Sequence, residues 1–381
     1  MSESDSQTTA MLALLKQLVE TESPSHEKAA VDRLGAIVAE ECRRQGAQVD
    51  IHSRKETGNL VEARWAAGSA SKPITNKDRR NGILLLCHMD TVFPLGTLAK
   101  MPFYEKDGKV FGPGVSDMKG GIVVALTALA AACASGGLAR PVTALFTPDE
   151  EIDSTGSRAL IEERAARSAL VLVLEPGMPD GSVKTWRKGV GGFTVTVRGR
   201  AAHAGGDHEK GRNAIEEMAH QVLAIQKMTD YAKGTTLNVG VIRGGIAVNV
   251  VPEEAVVEVD LRVMRPGEAE RITGLMQALK PVLDGTSIEV SGGIERPPMP
   301  SDSAMQVTFD KAMAIAAKVD IDLKASGTGG ASDANLVAPL GIPVLDGLGP
   351  AGGEYHSERE YLFKDSLAER VKLLTALLRE W

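Results

Sequence analysis

Apolar positions recur along the chain in two rhythms, and the change from one to the other divides it. Residues 8–22 carry Met11, Leu14, Leu15, Leu18 and Val19 at helical spacing. After a turn at Pro24-Ser25, a second helix is predicted over 27–45, with Val31, Leu34, Ile37 and Val38 on one face. Residues 49–64 read as strands interrupted at Thr57-Gly58-Asn59, and the polar run 68–81 as an exposed loop. Residues 83–87 are wholly apolar, the signature of a strand buried on both faces. A long irregular segment with Pro94, Pro102 and Pro113 follows, and a loop of that length inside a domain is usually functional. A helix to about residue 133, a strand over 142–147, a helix over 157–167 and a strand over 170–174 come next. Strands alternating with helices predict a mostly parallel sheet.

From about Lys188 the pattern alternates with period two, as half-exposed strands do. Strand 193–197, helix 213–229, strands 236–242 and 255–263, helix 267–279 and strand 287–290 make a β-α-β-β-α-β order, the ferredoxin-like split unit. After Ser301 the α/β pattern resumes, with a helix over 304–318, a strand over 342–345 and a final helix from Lys364. The expected organisation is an α/β domain with a mixed, phosphorylase/hydrolase-like sheet over 1–187 and 301–381, interrupted by an α+β unit over 188–300.

Length supports two domains over one. The net charge of -7 argues against a nucleic-acid surface, which needs a basic stripe. The start of the chain lacks the basic and apolar regions of a signal peptide, and the best apolar run, 122–134, is too short for a membrane span. The three cysteines, Cys42, Cys87 and Cys133, lie far apart without zinc-ribbon spacing. A reducing cytoplasm is the expected compartment.

Chemistry concentrates where the expected strands end. A strand repeats every two residues, so His88 and Asp90 leave the end of 83–87 on one side. Glu150-Glu151 follow strand 142–147 directly, and Glu175 follows 170–174. Ligands in such sheets bind beyond the carboxyl ends of the strands. With Asp117 and His356, five candidate ligands emerge: His88, Asp117, Glu151, Glu175 and His356. Two histidines and three carboxylates suit two zinc ions, each taking one histidine and one terminal carboxylate, with one acid bridging. Glu150 stands beside a ligand as the candidate proton shuttle. Each acid alone is more often a cap or a solvated turn, Asp117 in particular as the cap of the helix after it; the convergence of five argues otherwise. His26, His52, His208 and His220 read as surface histidines, and Cys87 as a core residue.

His88-Met89-Asp90-Thr91-Val92, the run from Gly112-Pro113-Gly114 to Asp117-Met118-Lys119-Gly120-Gly121, and Asp149-Glu150-Glu151 resemble the co-catalytic dizinc metallopeptidases. That family includes aminoacylases, acetylornithine and succinyl-diaminopimelate deacylases and bacterial glutamate carboxypeptidase. The resemblance implies that Asp117 bridges two zinc ions, with His88 and Glu175 on one, and Glu151 and His356 on the other. It makes Glu150 the general base and acid, Asp90 the partner of His88, and the Asp117-Met118 peptide cis. Glutamate at 175, where many deacylases have aspartate, resembles the glutamate carboxypeptidase and aminoacylase branches.

The inserted unit would then be a lid and dimerisation domain. His203, in Ala201-Ala202-His203-Ala204-Gly205, resembles the histidine that reaches a neighbouring subunit's active site to stabilise the oxyanion. Asn249 and Arg262 match residues lining the substrate pocket, Arg296 the arginine gripping the substrate carboxylate, and Gly330 lies in a stretch resembling the glycine-rich substrate loop. Gly206-Asp207 departs from the proline that commonly follows the lid histidine. Lys184 and Lys188 both stand for the lysine that reads the substrate side chain. The implied function is hydrolysis of the amide bond before a C-terminal amino acid in a small peptide or N-acyl amino acid, by a homodimer holding two zinc ions, for which cobalt or manganese substitutes. An N-acyl-amino-acid deacylase or dipeptidase differs only in pocket side chains. A catalytically silent binding homologue is disfavoured by the intact ligand set, and a serine hydrolase by the lack of a Gly-x-Ser-x-Gly elbow.

Overall fold

The apolar run 83–87 lies within a six-stranded mixed sheet, the centre of the larger of two units. In the structure, a computed structural model that describes residues 3–68 and 81–381, the strand Gly82–His88 pairs in parallel with Val142–Thr147 on one side and Ser168–Val173 on the other. Val344–Leu345 extends the parallel half, and Leu60–Trp65 and Gln48–His52 add two antiparallel strands at the far edge. Ile83 to Cys87 are all buried, as a strand covered on both faces requires. The loop expected over 68–81 falls almost wholly outside the described residues.

The helix Gly120–Ala134 is apolar on every side because it is buried along most of its length, Ala130, Cys133 and Ala134 near its end being exposed, and it packs against the terminal helices Glu3–Glu20 and Lys364–Glu380. Joined to the turn before it, Val115–Ala134 is a 20-residue stretch apolar enough to cross a membrane, longer than the run the sequence suggested, and 67% of it is buried inside the protein. The turn is not helical throughout: Asp117 and Met118 leave helical geometry.

The irregular segment after His88 contains a hairpin, Tyr104–Lys106 with Lys109–Phe111. It joins Tyr361–Phe363 and Gly352–Gly353 in a small antiparallel sheet, with Tyr104 stacked on Phe111 at 4.6 Å. Strands of two or three residues show no alternation, and the pairing of Tyr361–Phe363 with Lys109–Phe111 joins distant parts of the chain, so local pattern could not reveal the sheet. This sheet matters because the loop between its last two strands carries His356.

The second unit comprises Arg187–Pro300 and Thr328–Ala331. It runs strand Gly189–Arg198, helix Ala214–Gln226, strands Thr236–Gly244 and Glu254–Val263, helix Pro266–Gln277 and strand Ser287–Arg296. In space the antiparallel order is Thr236–Gly244, Glu254–Val263, Gly189–Arg198, Ser287–Arg296. Val195, Val197, Val257 and Leu261 pack with Met218 and Ile272 of the two helices, whereas the alternate positions of Gly189–Arg198 stay half-buried. Four residues of the glycine-rich stretch belong to this unit because Arg187 Nη1 donates to the carbonyls of Gly330 and Ala331, at 3.1 and 3.0 Å.

In the larger unit, Glu62 of the second strand is fully buried and gathers Arg164 Nε at 2.8 Å, Arg64 Nη1 at 3.2 Å and His52 Nε2 at 2.8 Å. His52 is therefore a partner in this cluster and not simply a surface histidine. Burial alone would raise the Glu62 pKa, but Arg164, His52 and Arg64 overcome it and hold it at about 2. A folded value below the ordinary 4.5 means the cluster stabilises the fold above that pH and loses its contribution as pH falls toward 2. Glu62→Gln should cost about 3 kcal/mol near neutral pH, and the deficit should shrink in acid. Urea titrations at about pH 7 and about pH 3 check this; an equal deficit at both would contradict it.

Candidate metal centre

Parallel pairing sets the ends of Gly82–His88, Val142–Thr147 and Ser168–Val173 side by side, so the residues just beyond them converge. His88 ends the first strand, Glu150 and Glu151 open a turn after the second, and Glu175 lies two residues past the third. Asp117 comes from the kinked turn before Gly120–Ala134, and its peptide bond to Met118 is cis, as the resemblance implied. Gly121 allows that helix to start this close to the sheet: a Cβ there would lie 2.0 Å from the carbonyl oxygen of Leu174. His356 arrives on the loop between Gly352–Gly353 and Tyr361–Phe363, in left-handed backbone with φ 59°.

The five ligand candidates form two sets that share one residue. His88 Nε2 is 3.1 Å from Asp117 Oδ1 and 3.5 Å from Glu175 Oε1. His356 Nε2 is 3.3 Å from Asp117 Oδ2 and 3.3 Å from Glu151 Oε2. The two oxygens of Asp117 thus face different histidines. Ligand atoms around a tetrahedral zinc with bonds of about 2.0–2.1 Å lie about 3.3–3.4 Å apart, and these four separations bracket that value. Glu150 joins His88 and Glu175 in a group whose ligand atoms all lie within 4.8 Å of one another.

The electrostatics point the same way. Burial would lower the His88 pKa, but Asp117, Asp90 and Glu175 raise it well above 6.5. Asp117 and Glu151 raise His356 to about 11. Burial would raise Asp117, yet the two histidines hold it well below the usual carboxylate range. Burial and the charge of Asp117 push Glu151 up, and His356 offsets this only in part. The carboxylates thus favour positive charge at the histidine nitrogens. Divalent cations held between these carboxylates and neutral imidazoles would supply that charge, since histidine ligates as neutral imidazole. The donor set therefore fits metal.

Asp90 ties the parts together. Its backbone carbonyl lies 3.0 Å from His88 Nδ1, nearer than its carboxylate at 3.5 Å. The carboxylate instead accepts the amides of Glu150 and Glu151, both at 3.1 Å, and the Ser25 hydroxyl at 2.8 Å. One buried acid so orients a candidate ligand histidine and holds the turn bearing Glu150 and Glu151.

Sequence reasoning missed Glu360. Fully buried, it accepts the amides of Gly114, Ser116 and Asp117 at 3.2, 2.8 and 3.0 Å, and so shapes the turn that presents Asp117. Burial and the charge of Asp117 push its pKa up to about 8 against the pull of those amides. Its one signal was an acid four residues after His356, just before an apolar triplet. Asp149, also missed, accepts the Gly156 amide at 2.6 Å and the Ser157 hydroxyl, closing the turn after Glu151.

The remaining candidates lie in the second unit. His203 and Asn249 sit on or beside one ribbon, Ala202–His203 paired with Val250–Val251. Arg262 is engaged by Asp260 through Nε at 3.0 Å and Nη2 at 2.8 Å, which leaves it fewer donors for a substrate. Arg296 ends its strand buried, and Gly330 is in the loop held by Arg187. Lys184 is buried in the first unit; the Lys188 amide donates to the Thr328 carbonyl in the second.

Two histidines and several carboxylates, one of them shared, gathered beyond the parallel strands of a mixed sheet, make a candidate metal centre. The chain belongs to peptidase family M20/M25/M40, which it matches over residues 84–380. It is 30% identical over 379 residues to carboxypeptidase G2 of Pseudomonas sp. (strain RS-16), covering 97% of this chain and 89% of that one. Succinyl-diaminopimelate desuccinylase of Dechloromonas aromatica is 28% identical over 368 residues, covering 90% and 92%. The fold is also that of aminopeptidase PepT from Bacillus cereus, with a TM-score of 0.78 at 21% identity over 97% of this chain and 98% of that one.

Proposed function

We propose that this metallohydrolase cleaves the amide bond before a free C-terminal amino acid, in the manner of a glutamate carboxypeptidase, with two zinc ions held by His88, Glu175, Glu151, His356 and the shared Asp117. The observation that carries the reading is the pair of Asp117 oxygens, each facing a different histidine. Two zinc ions held there would supply Lewis acidity and a water that ionises near neutral pH; cobalt or manganese substitutes, because the donors favour geometry over one ion. Glu150 takes the proton of the attacking water and returns it to the departing nitrogen. Asp90 keeps His88 and the Glu150 turn in register. Arg296 grips the substrate carboxylate through its planar guanidinium, with Asn249, Arg262 and Gly330 shaping the pocket.

The inserted unit, read as a ferredoxin-like lid, pairs with a second copy along the edge strand Thr236–Gly244. What supports this is apolar exposure along and just beyond that edge, at Val241, Ile242, Ile246 and Val248. Each lid would carry its His203 to the partner subunit's metals, where it donates to the developing oxyanion.

A panel of N-acyl amino acids and dipeptides, varied at the C-terminal residue and with amidated counterparts, tests the reading. Turnover should require the free carboxylate. Arg296→Ala should raise KM for those substrates by about ten- to a hundredfold, the worth of a lost charge-assisted hydrogen bond. Amidated substrates cleaved as well as acids would contradict it.

A further inference from the structure

His203 is exposed, yet its ring is held. The amides of Gly205 and Gly206 both donate to its Nδ1, at 3.1 and 2.9 Å. The backbone is fixed on both sides: the His203 carbonyl accepts the Asp207 amide at 3.1 Å, and Ala204 N donates to the Asn249 carbonyl at 3.0 Å. His203 also stands opposite Val250 in the two-stranded ribbon.

A neutral imidazole has one bare and one protonated nitrogen, and only the bare one accepts. Two amides converging on Nδ1 require its lone pair, so the proton resides on Nε2. We infer that Gly205 and Gly206 are positioning residues that fix the tautomer of His203 and present Nε2–H outward as a hydrogen-bond donor. The catalytic meaning of this rests on the oxyanion role proposed above. In the opposite tautomer the ring would turn a lone pair toward a negatively charged oxygen, which repels it; with Nε2–H in place the donor is ready before charge develops.

The amides, not the absence of side chains, are what this role requires. Neither glycine has positive φ, and a Cβ on Gly206 would meet Nδ1 at 3.6 Å, an ordinary contact. Alanine at 206 keeps the amide, whereas proline has none.

The test is the long-range proton–nitrogen correlation spectrum of the full-length protein, labelled at its histidine nitrogens and held where the ring is neutral, with His203→Ala used to assign the resonances. Wild type and Gly206→Ala should show a single tautomer, Nε2 protonated and Nδ1 bare. Gly206→Pro should show a mixture. On a substrate from the panel, its kcat should lie about tenfold below that of Gly206→Ala at similar KM, the size of effect expected from a loosened catalytic group. A proton on Nδ1 in wild type would overturn the inference, and an unmixed tautomer in Gly206→Pro would overturn the part assigned to Gly206, leaving the Gly205 amide to hold the ring. The wild-type spectrum decides even if Gly206→Pro does not fold. Since it needs no substrate, the tautomer can fail while the hydrolase reading stands, and the reverse.

Discussion

Glu150→Gln should keep its full metal complement and lose about a hundred- to ten-thousandfold in kcat, the usual worth of a positioned general base. Glutamine preserves shape and hydrogen bonding but cannot take a proton from water at neutral pH. The Glu150 backbone would still donate to Asp90 and the turn would still close on Asp149, so the loss would be chemical and not structural. Glu151→Gln should behave differently, since its Oε2 faces His356 across the second candidate metal position; that variant should bind less metal. Turnover with metal content measured on the same samples separates the two. If Glu150→Gln loses metal and Glu151→Gln keeps it, the assignment within the pair is reversed.

The second large effect follows from the proposed pairing of lids and would cross subunits. His203→Ala should lose a donor worth about 2.7–4 kcal/mol of transition-state stabilisation, and His203→Ala and Glu150→Gln should each be nearly inactive alone. Mixed under conditions of subunit exchange, they should regain activity. In a heterodimer one site combines an intact Glu150 with the partner's intact histidine, and the other has neither. Closed two-fold pairing produces this exchange of residues between like subunits. No recovery despite demonstrated exchange would mean that His203 serves its own chain or none.

Much of this centre was legible before any coordinates. His88, Glu150, Glu151 and Glu175 each follow an apolar run, and the ends of parallel strands are where an α/β sheet presents its chemistry. Asp117 and His356 were harder, for neither ends a sheet strand; local pattern makes Asp117 a helix cap, and His356 sits in a loop whose flanking strands have two and three residues. Glu360 was invisible for a related reason. Its work is to bind backbone amides some 240 residues earlier, and acceptance of amides leaves no spacing to find. The β-α-β-β-α-β order of the second unit was readable because its strands are long and alternate. Its claim on Thr328–Ala331 was not, since that follows from Arg187 reaching carbonyl oxygens, which every residue possesses.

Zinc stoichiometry tests the central claim most directly. Protein stripped of metal, reloaded and freed of excess zinc should carry two ions per chain by elemental analysis, since five residues form two sets around Asp117. Asp117→Ala, which removes the shared ligand, should retain fewer than one while its circular dichroism stays that of the wild type. Wild-type protein saturating at one ion, or Asp117→Ala still holding two, would contradict the account.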